Sequence, residues 1–143
     1  VSSRNIKTAK IYFYDTGLVC SFLRIVNITQ LESHPLKGAI FETMVVIELV
    51  KKFTNLGMTP PLFYWRDKTG HEIDVIVDNG GRLTPIEIKS GKTINADYFK
   101  NITFWNNLSK NKTATIIFSG NQEQRRSDGT TVTNWHNIHD LTI

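Results

Sequence analysis

The sequence predicts an α/β domain, a mixed sheet flanked by helices in the order helix, three strands, helix, strand. Three observations carry this. His71 to Lys89 holds two strand-like runs joined by Asn79-Gly80-Gly81, and glycine accepts the positive φ of a short hairpin turn. Gly38 to Leu56 is the best helix in the chain, with Gly57 placed to close it. Thr113 to Phe118 is a β-branched, buried-type strand that follows a helix, so a crossover adds it to the hairpin sheet.

In chain order, residues 1 to 9 are polar and read as a frayed lead-in. Lys10 to Tyr14 is β-prone. Asp15 is placed to cap a short helix over Leu18 to Ile25. Asn27 to Lys37 reads as a linker. The organisation expected is a lead-in over 1–37 and the main domain over 38–143. The long helix is apolar almost all round, through Phe41, Met44, Val45, Val46, Ile47, Leu49, Val50 and Phe53, which implies burial on more than one side. One side belongs on the sheet. The other is left for the Lys10 to Ile25 segment, for a further domain or for a second copy of the chain, so homo-oligomers are one expectation. Glu42 and Glu48 lie among these apolar positions, where a carboxylate is costly unless paired or metal-bound.

Leu62 to Arg66 reads as a strand and Asp67 to Gly70 as a turn. In the next strand, alternation sends Ile73, Val75 and Val77 one way and Glu72, Asp74, Ile76 and Asp78 the other. The third strand places Ile86 and Ile88 on one face and Glu87 and Lys89 on the opposite one. Asn95 is a candidate cap for an amphipathic helix over Ala96 to Leu108, with Phe99, Ile102, Trp105 and Leu108 inward. Ser119 to Thr130 is polar and reads as a mobile loop, and Thr131 to Asp140 as an edge strand with a last turn.

Neighbouring strands thus each offer a carboxylate, Asp74 and Glu87, with Lys89 beside them. Two carboxylates a few ångströms apart repel unless a cation sits between them. Mg²⁺ (or Mn²⁺) suits such a site, because it keeps its waters and needs few protein oxygens. Asp74, Glu87 and a backbone carbonyl from Ile88 would hold it, and Lys89 would hold or deprotonate an attacking water. This is equipment for metal-assisted phosphodiester hydrolysis. The bland readings are an Asp74 that is simply solvated or that pairs with Arg66, and an exposed same-face Glu87–Lys89 ion pair. Glu42 fits either the metal site or a structural bond to Lys89. Lys92 and Arg66, near the site, are the candidate phosphate contacts on DNA.

The same residues carry a family resemblance. Asp74 and Glu87-Ile88-Lys89, preceded by Glu42 on a helix, resemble the PD-(D/E)XK restriction-endonuclease-like superfamily. The wider run is Gly38-Ala39-Ile40-Phe41-Glu42 through Glu48-Leu49, Phe63-Tyr64-Trp65-Arg66, Gly70-His71-Glu72-Ile73-Asp74 and Pro85-Ile86-Glu87-Ile88-Lys89-Ser90-Gly91. It resembles the domain of unknown function at the C-terminal end of many bacterial and archaeal AAA-type ATP-binding proteins. The resemblance spans residues 9 to 120. It implies Asp74, Glu87, Lys89 and Glu42 as site residues and an ATPase part upstream of this chain; the start at Val1 rather than Met is what a fragment or a processed product would show. It also leaves open a second class of function, a binding module that serves the ATPase and cleaves nothing.

Composition sets looser bounds. With 143 residues, 40% hydrophobic and 21% charged, the chain can bury one core. No apolar run nears the ~20 residues of a membrane span, and the start lacks the apolar stretch of a signal peptide. Cys20 is alone, so neither an internal disulfide nor a cysteine zinc site can form, which fits a reducing cytoplasm. A net charge of +4 permits nucleic-acid binding without requiring it. His34, His136 and His139 show no ligand spacing that points to a metal, and His71 reads as a turn residue.

Overall fold

A computed structural model describes residues 9–143. The polar start expected over residues 1 to 9 lies, apart from Ala9, outside the described residues. Among the described residues six strands form one sheet: β1 (Leu62–Arg66), β2 (Glu72–Asn79), β3 (Arg82–Lys89), β4 (Ala114–Phe118), β5 (Gln124–Arg125) and β6 (Thr130–Asn134). Their spatial order is β1-β2-β3-β4-β6-β5. The first three run antiparallel, β4 and β6 continue in parallel, and β5 returns antiparallel. The mixed sheet flanked by helices is therefore as the sequence predicts.

Helices cover both faces. Among the described residues there are four α-helices: α1 (Thr16–Phe22), α2 (Ile28–Ser33), α3 (Lys37–Thr54) and α4 (Lys100–Ser109). On one face, Val45, Val46, Leu49 and Phe53 of α3 pack on Val75, Val77, Ile86, Ile88 and Ile117, with Ile138 from a closing 3-10 turn. On the other, Tyr98, Ile102 and Trp105 pack on Ile73, Ile76, Ala114, Ile116, Phe118 and Val132. A strand between two such layers is apolar on both faces, which is why all five residues of β4 are buried.

Local chemistry sets the element ends. Asp15 Oδ1 accepts the Leu18 N–H at 2.9 Å, which caps α1. After α3 the chain turns at Gly57 with φ +71°, and the Met58 N–H reaches back to the Phe53 carbonyl. Pro85 stands just before the β4 ladder begins at Ile86, where its missing N–H costs no bond.

Several expectations are corrected. Lys10 to Tyr14 forms no strand: it is irregular chain with a bend at Tyr14. The linker expected over Asn27 to Lys37 contains α2, capped by Asn27, whose Oδ1 takes the Gln30 N–H. The helix expected over Ala96 to Leu108 opens as a 3-10 turn, Ala96–Phe99, before α4. Tyr98 is buried there, whereas Leu108 is 61% exposed. The polar stretch 119–130 contributes β5, so β6 is an inner strand. The outer side of α3 is met by α1, α2 and the 3-10 turn Trp135–Asp140.

The sharpest departure is in β2. Phe63 pairs with Ile76 but Trp65 pairs with Ile73, so β2 holds one extra residue opposite β1. This β-bulge breaks the alternation at Asp74–Val75. Ile73 therefore joins Ile76 in the α4-side core, while Val75 and Val77 stay with α3. The single-face grouping of Ile73, Val75 and Val77 is overturned, and so is that of Asp74 with Ile76.

Candidate functional site

The bulge decides where Asp74 goes. Pairing between β2 and β3 ends at Val75 and Ile86. One step further on, the ladder bond is replaced by a side chain: Asp74 Oδ2 accepts the Ile88 N–H at 2.8 Å. Burial raises the Asp74 pKa, and the nearby Lys89 charge and the Ile88 N–H oppose that rise.

Glu87 is the most enclosed acid of the site, 1% exposed. Its Oε2 accepts from Lys89 Nζ at 2.5 Å. Its Oε1 is buried and has no hydrogen-bond partner among the described residues. Burial first, and then the Asp74 charge, push its pKa up to about 7, with Lys89 and the nearby Asn101 side chain pulling the other way, although Asn101 is not in hydrogen-bond geometry with Oε1. For Lys89, burial works against the charge, but Glu87, Asp74 and Glu42 outweigh it and its pKa is raised. The three residues named from the sequence thus form one electrostatic unit.

Glu42 does not bond to Lys89. Its Oε1 accepts from Lys10 Nζ and from the Tyr12 hydroxyl, each at 2.8 Å. Lys10 Nζ also lies 2.5 Å from Glu72 and 3.8 Å from Asp74, and sits 4.7 Å over the Tyr64 ring. Burial opposes the Lys10 charge, yet the bonds to Glu42 and Glu72 raise its pKa well above the ordinary lysine range. Sequence reasoning missed Lys10 and Tyr12, because Lys-Ile-Tyr-Phe-Tyr reads as a strand. The usable signal was that alternation: it sets Lys10 and Tyr12 on one side of an extended segment.

A pocket of about 330 Å³ opens at this end of the sheet, lined by Gly38, Glu42, Asp74, Ile88, Lys89, Ser90, Gly91 and Tyr98. Glu87 lies outside its lining. Among the described residues no group of three or more His, Cys, Asp and Glu side chains is arranged to hold a metal ion. The oxygens on offer are those of Asp74 and Glu87, two mutually repelling carboxylates, one with an orphaned oxygen. To these the Ile88 carbonyl adds a third source, since a strand residue's C=O projects to the same edge as its N–H. A hard divalent cation fits that donor set, with water completing it.

The remaining candidates are placed apart. Lys92 pairs with Glu32 of α2 at 2.9 Å, and Arg66 lies 3.9 Å from Glu72 at the outer strand. Both cations are exposed. Glu48 pairs with Lys51 at 2.7 Å and with His139 at 3.3 Å, a structural role. His71 stacks on Phe104 at 3.7 Å and bonds Asp67, which fits a turn histidine.

Residues 37–138 match the family described as Domain of unknown function (DUF4143). The chain is 36% identical over 93 residues to the uncharacterized protein Mb2031c of Mycobacterium bovis and, equally, to the uncharacterized protein Rv2008c of Mycobacterium tuberculosis. Each match covers 65% of this chain and 20% of the relative, so the chain spans about a fifth of the length of these curated relatives. No solved structure matches it. No helix among the described residues is long and apolar enough to cross a membrane.

Proposed function

This chain belongs to the family described as Domain of unknown function (DUF4143), and from that premise we propose that its sheet-end pocket is a metal-dependent phosphodiesterase site of the PD-(D/E)XK type, acting on DNA as part of a longer AAA-type ATPase. The observation that carries the reading is the Asp74–Glu87–Lys89 unit: two buried carboxylates and a lysine beside an open pocket, with Glu87 Oε1 buried and without a hydrogen-bond partner among the described residues. Perturbed carboxylates in a cleft are where such chemistry is expected.

Asp74, Glu87 and the Ile88 carbonyl would hold Mg²⁺ or Mn²⁺. When bound, the ion supplies charge stabilisation at phosphorus and a water of lowered pKa. The chain's own residues do the rest. The raised pKa of Lys89 keeps it an ammonium at neutral pH. It therefore acts as a positive charge that orients water and meets the charge developing on a phosphate, not as a base. Its bond to Glu87 fixes where that charge stands. Lys92 and Arg66 flank the site as cations for backbone phosphates. The lone Cys20 is in keeping with a cytoplasmic setting.

The test is calorimetric titration of Mn²⁺ and Mg²⁺ into the chain, Asp74→Asn and Glu87→Gln, with DNA cleavage followed on the same samples. Saturable binding that both variants lose, together with metal-dependent cleavage, is expected. Absence of binding at millimolar metal would sink the reading.

One observation favours a second reading. Lys10 and Lys89 already give the acids positive partners, so part of the site's negative charge is offset without a metal. Apolar side chains along the lead-in, among them Ile11, Phe13, Phe22 and Val26, are exposed. These features suit a catalytically silent nucleic-acid- or protein-binding module, or an oligomerisation surface, serving the ATPase. Concentration-dependent sedimentation, with or without DNA, separates that reading from the first.

A further inference from the structure

Residues 10 to 14 lie over the acidic end of the sheet as irregular chain, with a bend at Tyr14, before α1 begins. Among the described residues, no backbone–backbone hydrogen bond ties this segment to the rest of the chain. It is held by side chains. Lys10 and Tyr12 point inward to Glu42, while Ile11 and Phe13, the alternate positions, are 81% and 57% exposed. Lys10 Nζ has carboxylate oxygens of Glu42, Glu72 and Asp74 within 4 Å, at 2.8, 2.5 and 3.8 Å. Three acids from a helix and a strand therefore converge on one cation that the chain itself provides.

We propose that Lys10 is a built-in plug: its ammonium offsets part of the negative charge of the acidic bowl of Glu42, Glu72 and Asp74, and a divalent cation entering the pocket competes with it and lifts the segment. This rests on the metal-site reading given above. Asp74 is the shared residue. Its Oδ1 faces Lys10, while its Oδ2 is held by the Ile88 N–H, so the two cations meet at one carboxylate. A divalent ion near Asp74 would stand within a few ångströms of the Lys10 ammonium, and two like charges at that spacing repel strongly where water is partly excluded. The segment gives way and the sheet does not, because the segment has no ladder to lose. The bowl is left acidic when the plug is out.

The experiment compares Mn²⁺ affinity by calorimetry for the unaltered chain, Lys10→Met, Tyr12→Phe and a remote charge control, Lys68→Met, with folding checked by thermal unfolding. Lys10→Met is expected to bind Mn²⁺ at least tenfold more tightly than the unaltered chain. Tyr12→Phe, which loosens the segment and keeps the charge, should fall between them, and it carries the test alone if Lys10→Met does not fold. Lys68→Met should not differ from the unaltered chain. In a second readout, amine labelling followed by mass spectrometry should modify Lys10 slowly in the metal-free chain and several-fold faster at saturating Mn²⁺. Equal affinities across the set, or labelling unmoved by metal, overturn the plug and leave the metal site standing. Binding by none of the proteins overturns the metal-site reading and the plug with it.

Discussion

The Asp74 carboxylate accepts the Ile88 N–H at 2.8 Å, and this bond ties the bulge of β2 to the middle residue of Glu87-Ile88-Lys89. Asp74 thereby does two things: it completes a strand ladder and it presents its second oxygen to the pocket. The two are separable. Asp74→Asn keeps a carbonyl acceptor for Ile88, whereas Asp74→Ala leaves that N–H unpaired. A buried unpaired donor costs about 1–3 kcal/mol. Urea titration should find Asp74→Ala less stable than Asp74→Asn by about that amount, while both lose metal binding. Equal stabilities would show that the bond holds nothing in place.

Glu87 makes stability depend on pH in a direction opposite to that of most paired carboxylates. Its pKa rises from 4.5 to about 7 on folding, through burial and the Asp74 charge. The folded chain therefore binds more protons than the unfolded one between those values. The neutral carboxyl's contribution is fully present below about 4.5 and is lost as pH rises through about 7. With chelator present, the unaltered chain should lose on the order of a few kcal/mol relative to Glu87→Gln between pH 5 and 8. The check is the urea midpoint as a function of pH. Parallel curves for the two proteins would contradict the assignment.

Lys89 is the positive partner of that buried acid, 2.5 Å from Glu87 Oε2. Removing one member of a buried pair strands the other, at a cost of about 3–5 kcal/mol. Lys89→Met should therefore destabilise strongly at pH 8 and much less at pH 5, where Glu87 accepts a proton. The double variant Glu87→Gln with Lys89→Met should recover most of the loss. A double variant no more stable than Lys89→Met alone would mean that Lys89 contributes by packing its stem and not by charge.

Much of this arrangement was legible in the sequence, and the part that was not has a physical reason. Apolar runs bounded by glycine located β1 to β3 and β4, and the helical stripe on α3 located the core that faces them. Asp74, Glu87 and Lys89 do come together at one sheet end. What periodicity could not place is the bulge. Val75, Ile76 and Val77 are all apolar, and a strand buried on both faces gives no sign of where its alternation slips. Lys10 and Tyr12 were hidden for a different reason. A β-prone segment becomes a strand when an edge receives it, and this one is held by side chains over an acidic bowl. Glu42 was seen to need a partner, and its partner lay in a stretch read as the lead-in.

The face of α4 gives a last discrimination between pattern and packing. Helical spacing from Phe99 placed Ile102, Trp105 and Leu108 inward alike. In the structure the chain enters through a 3-10 turn, which rotates the register so that Tyr98 is buried while Leu108 is exposed. Ile102 is 2% exposed and packs in the core on that face of the sheet. Ile102→Ala removes buried volume and should cost about 2–5 kcal/mol. Leu108→Ala removes an exposed side chain and should stay within about 0.5 kcal/mol of the unaltered chain. Denaturant unfolding of the two variants decides the matter. Comparable losses would mean that Leu108 is covered in solution and that α4 presents a further buried face.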